Sequence, residues 1–211
     1  MTTDSFTSQF KKATQSGLPG EVAHSALMPI NRAFTSHALK DNPEYRKSAV
    51  GVILYPHEGT LKSVLIQRPN YDGTHGNQVS FPGGKMDPND IDLEFTARRE
   101  CFEEVNLPVD VGTTIGTLSD VYIPVSKFLV QPYILTLEEA PILSPDEREV
   151  ESIIHFDIFQ LLKDSILKTT DINLKKGFVR KDVPYFDING HIVWGATAMM
   201  LSEFKEILRR F

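Results

Sequence analysis

Glu100, Glu103 and Glu104 are spaced i, i+3 and i+4, so on a helix they share one face and fall within an arc of roughly 100°. Like charges crowded in this way repel one another and weaken an isolated helix, so the pattern calls for a positive partner. Hard divalent cations take oxygen ligands, and Mg²⁺ is held by a few carboxylates together with water and substrate phosphate. Just upstream, Phe81-Pro82-Gly83-Gly84-Lys85-Met86-Asp87 reads as a glycine turn whose bare backbone can pass close to a metal site or ligand. Such a combination suits attack of water on a phosphoanhydride: the ion neutralises phosphate oxygens and lowers the pKa of a bound water, and a spare carboxylate accepts the proton. Arg99, beside Glu100, would orient a carboxylate or offset the repulsion. A plainer reading stays open at this point. The same face could be a solvated acidic surface with Arg98 and Arg99 as neutralising neighbours, and for a bare Glu-x-x-Glu-Glu that is the commoner case. Lys85 could approach a phosphate or simply sit at the surface, since Gly83-Gly84-Lys85 lacks P-loop spacing.

The elements that must position these residues have readable ends. Asp87 before Pro88 looks like a helix cap, with Asp90 three residues on, and the main helix is expected from about Asp92 to Val105. Asn106 stands where a left-handed residue closes a helix, and Pro108 prevents continuation. Phe95, Cys101, Phe102 and Val105 lie opposite the glutamates and are expected to pack on a sheet. Before this helix, 49–55 and 63–67 form an expected hairpin around Glu58-Gly59. A polar loop from Arg68 to Ser80, containing Gly73, Gly76 and Asn77, then feeds Val79-Ser80-Phe81 into the glycine turn. After the helix, 117–122 and 128–135 read as strands, 146–151 as an acidic exposed segment, and 158–162 as a short helix following Ile153-Ile154-His155-Phe156. Asn189-Gly190, between 185–188 and 191–194, is the strongest short-range hairpin signal in the chain. A terminal helix from Ala196 to about Arg209 offers Met200, Phe204, Ile207 and Leu208 to the core.

At the other end, Phe6, Phe10 and Ala13 fit a helix stopped by Gly17 and Pro19, with a second short helix from Glu21 to Leu27. Residues 1–46 are read as a helical arm packed on the domain formed by 47–211. Interleaved strands and helices with two antiparallel hairpins give an α/β (α+β) fold, a mixed sheet covered by helices.

The 211 residues suit one generous domain, and 41% apolar content supplies a core. A net charge of −6 argues against broad binding to nucleic acid or anionic membranes. The single cysteine, Cys101, can form no internal disulfide and is read as a small buried hydrophobe. Without a signal-peptide layout or a membrane-length apolar run, a cytoplasmic location is expected. The histidines show no zinc-type spacing, and no Gly-x-Ser-x-Gly elbow occurs.

The central stretch resembles the Nudix box, Gly-x5-Glu-x7-Arg-Glu-x-x-Glu-Glu-x-Gly followed by an apolar residue. Gly84, Arg99, Glu100, Glu103, Glu104 and Leu107 occupy matching positions, and Phe81-Pro82-Gly83-Gly84 is a typical lead-in. The interval from Gly84 to Arg99 is one residue longer than in the common box. Ile91 stands where counting back from Arg99 puts the first glutamate, flanked by Asp90 and Asp92, and Asn106 replaces the last glycine. The longer box, Gly-Gly-Lys-x-Asp-Pro-x-Asp before Thr-Ala-x-Arg-Glu, resembles the coenzyme A pyrophosphatase branch. That branch also has an upstream signature; Leu65, Arg68, His75, Gln78, Val79 and Phe81 fit its general look, while Asn77 replaces its glycine and no Arg or Lys lies between Arg68 and Phe81.

The resemblance implies a Nudix fold with a mixed sheet sandwiched between helices, and hydrolysis of a nucleoside diphosphate linked to another group with Mg²⁺ or Mn²⁺. For this branch the products are 4′-phosphopantetheine and adenosine 3′,5′-bisphosphate. Glu100, Glu103 and Glu104 are implied as metal ligands or, one of them, as the base, with Arg99 beside them and Glu149 as a distant base or ligand. Arg68, Gly83, Gly84, Lys85 and His75 are the expected substrate contacts. Two other readings stay open: hydrolysis of ADP-ribose, NADH or another dinucleotide, and a nucleotide-binding regulator without turnover. The expected partner is a small nucleotide, and a homodimer is possible.

Overall fold

The computed structural model describes residues 1–30, 32–41, 44–69, 77–173 and 179–211. The apolar run after Ser48 forms β1 (Arg46–His57), which turns at Glu58 (φ 50°) and Gly59 (φ 80°) into β2 (Thr60–Gln67). These positive φ values are what a tight hairpin turn requires. The two strands pair antiparallel from Leu54↔Ser63 to His57↔Thr60. Beyond that point they fork. Strand β3 (Val79–Ser80) pairs with β2, and β4 (Gly83–Lys85) pairs with β1 at Ser48–Val50, so the chain crosses the fork between them. The glycine turn is therefore part of a sheet, not a free loop.

On its other side β1 pairs in parallel with β7 (Phe128–Thr136), from Arg46↔Phe128 to Leu54↔Thr136. Strands β5 (Thr113–Thr117) and β6 (Val121–Ile123) run antiparallel to β7, and β8 (Ser152–Asp157) closes the far edge on β2. The expected strand 117–122 is thus two strands, broken between Thr117 and Val121. A second, antiparallel sheet joins β9 (Leu167–Asn173), β10 (Val179–Ile188) and β11 (His191–Trp194), with Asn189 (φ 53°) and Gly190 (φ 86°) making the anticipated turn.

Alternation along β1 shows why its run is apolar throughout. Ile53 and Tyr55 pack with Cys101, Val105 and Leu107 on one face, whereas Val52 and Leu54 join Phe6, Phe10 and Phe204 on the other. Both faces are covered, so strict polar alternation is absent. The first face belongs to α4 (Leu93–Val105); the second belongs to α1 (Thr3–Thr14) and α5 (Gly195–Leu208). The expected sandwich of a mixed sheet between helices is what forms.

The N-terminal helices share this core. Phe6, Phe10 and Ala13 are buried as their spacing predicts. Helix α2 (Gly20–Ser25) is tied to α5 through Glu203, which accepts hydrogen bonds from Gly20 N–H at 2.9 Å and Ser119 N–H at 2.9 Å and lies 3.1 Å from His24 Nε2. A third short helix, α3 (Thr35–Asp41), is not legible in the sequence. Among the described residues no helix is long and apolar enough to cross a membrane.

Candidate active site

Helix α4 starts at Leu93, matching the expected start near Asp92, and the Asp87-Pro88 signal marks a separate turn before it. Asp87 to Asp90 is a turn, with Asp90 N–H donating to Asp87 O at 3.0 Å and Asp87 N–H donating to Asp90 Oδ2 at 2.9 Å. The cap is Asp92, whose carboxylate accepts Phe95 N–H at 2.7 Å. At the far end Asn106 adopts φ 59°, ψ 33° and Leu107 N–H reaches back to Cys101 O at 3.2 Å, the left-handed closure its position predicts. The buried face of α4 is Ala97, Cys101, Glu104 and Val105. Phe102, expected in the core, is exposed, and Phe95 is half-buried. The helix is rotated so that Cys101 meets β1 at Gly51, where a Cβ would lie 2.4 Å from its sulfur. Full burial pushes the Cys101 thiol well above its usual range, consistent with a small buried hydrophobe.

Arg99 is the hub of the site. Its Nε and Nη2 donate to Asp90 Oδ1 at 2.9 Å and Oδ2 at 3.0 Å, Nη1 donates to Glu100 Oε1 at 2.9 Å and Glu103 Oε2 at 2.7 Å, and Nη2 also reaches Lys85 O at 3.1 Å. The positive partner demanded by the crowded glutamates is thus supplied from within the chain. Asp90 is buried and further bonded by Thr96 Oγ1 at 2.8 Å; the Arg99 hydrogen bonds hold its carboxyl at about 2. Ile91, at the counted position of the first box glutamate, is 83% exposed. Counted forward from Gly84 over five residues, Asp90 itself takes the place of the first box carboxylate; the extra residue lies between Asp90 and Arg99, and Asp90 supplies the carboxylate to Arg99. Arg98 does not neutralise the glutamates. It bonds Glu94, the Val109, Val111 and Gly112 carbonyls and Thr114, tying α4 to the following loop.

Glu104 is buried and has both oxygens engaged: Oε1 accepts from Arg68 Nη2 at 2.9 Å and Oε2 from Gly83 N–H at 2.7 Å. Burial pushes its carboxyl up to about 7; Arg68 and the Gly83 amide pull it down, and Glu100 and Glu149 raise it further. Glu100 lies against the turn, since a Cβ on Gly84 would fall 2.5 Å from its Oε2. Burial raises the Glu100 carboxyl, Arg99 opposes the rise, and Glu103 and Glu149 add to it. Glu149 is exposed, but its charge is felt at both Glu100 and Glu104. Its segment is anchored to α4 through Asp146 N–H on Glu104 O at 3.1 Å.

The sequence-predicted residues therefore divide. Glu100, Glu103, Arg99, Gly83 and Gly84 come together, with Glu104 and Arg68 directly behind the turn. Lys85 joins through its backbone carbonyl, not its ammonium. His75 lies outside the described residues. Among the described residues no three His, Cys, Asp or Glu side chains are arranged to share one metal ion: Arg99 stands between Glu100 and Glu103, and Glu104 is turned to Gly83 and Arg68.

This fold and this cluster define a class. The NUDIX domain family matches residues 45–173, and the chain belongs to that family. The human mitochondrial coenzyme A diphosphatase NUDT8 is 36% identical over 134 residues, 63% of this chain and 56% of that protein. The match thus spans little more than half of that relative. A Nudix hydrolase NudL of Yersinia enterocolitica serotype O:8 is 30% identical over 165 residues, 78% of this chain and 82% of that protein. Among solved structures, a C. elegans Ap4A hydrolase binary complex matches with a TM-score of 0.52 at 18% identity, covering 79% of this chain and 99% of that one. At that identity the likeness shows the shared fold alone.

Proposed function

We propose that this chain is a metal-dependent pyrophosphohydrolase that splits coenzyme A or an acyl derivative into 4′-phosphopantetheine and adenosine 3′,5′-bisphosphate. The observation that carries the reading is the Asp90–Arg99 fork. It shows how the lengthened box, the form that resembles the coenzyme A branch, keeps Arg99 fixed beside Glu100 and Glu103. The name of the human relative points to the same substrate.

Mg²⁺ or Mn²⁺ is the cofactor of this reading, and the donor chemistry fits it. Glu100 and Glu103 each give Arg99 one oxygen and keep a second, Glu149 adds charge nearby, and Gly84 leaves room at the Glu100 carboxylate. Carboxylate oxygens are the ligands such ions prefer. When bound, the ion neutralises phosphate oxygens and makes water a nucleophile near neutral pH.

The chain's own residues do the rest. Arg99 orients Glu100 and Glu103 toward the turn. Glu104, locked by Arg68 and Gly83, fixes the position of the turn's backbone, past which the diphosphate lies. Glu100, whose carboxyl is raised by burial, is the candidate to accept the water's proton, and Glu149 is the alternative base from the facing loop. Positioned acids and bases with pKa values brought toward the working pH are the efficient ones.

A substrate panel of coenzyme A, ADP-ribose and NADH with Mg²⁺ or Mn²⁺, with products identified by mass spectrometry, tests the proposal. Release of adenosine 3′,5′-bisphosphate from coenzyme A is expected. Turnover of ADP-ribose or NADH with coenzyme A left intact would overturn the substrate assignment, and ligand binding without any turnover would overturn the enzymatic one.

A further inference from the structure

Beside the glycine turn, the start of β1 and the end of β4 border a depression of about 320 Å³ lined by Arg46, Lys47, Lys85, Met86, Asp87 and Pro88. Three cations face one carboxylate there, an excess opposite in sign to the chain's net charge of −6. The sheet register imposes it. Ser48 pairs with Lys85, and Met86 N–H donates to Lys47 O at 3.0 Å, so the two basic strand ends run side by side.

The charges are not spent on neighbours. Among the described residues the Lys47 and Lys85 ammonium groups have no ion-pair or hydrogen-bond partner. The Arg46 guanidinium is pre-placed, donating to Ser126 O and lying 4.2 Å from the centre of the Phe128 ring. Asp87 turns inward on its own turn, accepting Asn89 N–H and Nδ2, both at 2.9 Å. The depression also adjoins the carboxylate cluster, because the Lys85 carbonyl accepts from Arg99 at 3.1 Å.

We propose that this depression is a subsite for a phosphomonoester that the substrate carries in addition to the diphosphate that is cut. Resting on the coenzyme A reading above, that group is the 3′-phosphate of the ribose. Guanidinium forks and ammonium groups are the side chains that bind phosphate oxygens. The loop between Arg68 and Phe81 holds no Arg or Lys to do so, and the strand ends provide them instead.

Titration calorimetry of the full chain with adenosine 3′,5′-bisphosphate and with AMP, at low ionic strength, tests the assignment. The bisphosphate is expected to bind roughly tenfold more tightly, about 1.4 kcal/mol, and added salt should shrink the difference. In an Arg46→Ala/Lys47→Ala variant the advantage should fall to nearly one. Lys47→Ala alone, at an exposed position, is the fallback if the double variant does not fold, and should lose part of it. Equal affinities in the unaltered chain, or an advantage that survives these variants, would overturn the subsite. The two readings fail separately. Coenzyme A cleaved without a bisphosphate advantage removes the subsite only, whereas an advantage that depends on Arg46 and Lys47 with coenzyme A left intact removes the substrate assignment only.

Discussion

Asp90 and Arg99 form a two-pronged ion pair, with bonds of 2.9 and 3.0 Å, between the turn that precedes α4 and the helix itself. A bidentate guanidinium–carboxylate pair fixes orientation as well as position, so the plane of Arg99, and with it the reach of its Nη1 to Glu100 and Glu103, is set by Asp90. Asp90 is in turn held by Thr96 and by the Asp87 N–H. The chain from turn to glutamates is one connected network.

Removing Asp90 should therefore harm both fold and turnover. Asp90→Ala leaves Arg99 without its main partner, and breaking such a pair should cost roughly 2–4 kcal/mol and lower kcat. Ile91→Ala, one residue along at an exposed position, should change stability by less than about 0.5 kcal/mol. Thermal melts and steady-state kinetics of the two variants check this; equal effects would return the role to the counted position.

The same pair makes the fold acid-sensitive. Arg99 lowers the Asp90 carboxyl from its ordinary 3.8 to about 2, so the folded state binds that proton less tightly than the unfolded one. Its contribution is complete above about 3.8 and is lost as pH falls toward 2. Denaturant melts from pH 5 downward should show stability falling across that window, and Asp90→Asn should flatten this part of the curve. An unchanged slope in the variant would remove Asp90 as its source.

Gly83 and Gly84 should respond differently to alanine. A Cβ on Gly83 would lie 2.4 Å from Ala49 O and 2.6 Å from Val50 Cα, at φ 156°; the obstruction is strand backbone, and Gly83→Ala should unfold or strongly destabilise the protein. On Gly84 its nearest neighbours would be the atoms of the Glu100 carboxylate, from 2.5 Å, the movable end of a side chain. Gly84→Ala should keep most of the melting temperature and lose most of kcat. Matching losses of stability in the two variants would contradict the distinction.

Much of this arrangement could be read from residue order, because it is local. The ends of α4, the left-handed Asn106 and the Glu58-Gly59 and Asn189-Gly190 turns depend on neighbours a few positions apart, as does the shared face of Glu100, Glu103 and Glu104. Long-range features were not legible. The parallel pairing of β1 with β7, and the fork that takes up β3 and β4, join segments whose register no periodicity encodes. Arg68 meets Glu104 across 36 positions. Counting back from Arg99 lands on Ile91, whereas counting forward from Gly84 lands on Asp90; only the folded 87–90 turn shows which of the two faces Arg99. The apolar type of Phe102 suggests a core position, but the close approach of Cys101 to Gly51 sets the helix rotation and leaves Phe102 exposed.

Arg68 is expected to act through Glu104. It is the charge that counters the effect of burial on that carboxyl, which stands at about 7. Arg68→Ala should raise the Glu104 pKa further, measurable by carbon NMR titration of labelled glutamate, and Glu104→Gln should abolish that titration together with most turnover. A Glu104 resonance that titrates unchanged in Arg68→Ala would disprove the coupling.

On the proposed reading, the cluster around Arg99 hydrolyses the diphosphate of coenzyme A. The most direct measurement is the rate at which the purified chain and its Glu103→Gln variant form adenosine 3′,5′-bisphosphate from coenzyme A with Mg²⁺ or Mn²⁺. Glu103 is half exposed and outside the core, so the variant should fold and melt much as the parent does. Steady product formation by the parent is expected, with a loss of at least about 100-fold in the variant, the scale of losing a catalytic carboxylate. No product from the parent, or equal rates from both, would contradict it.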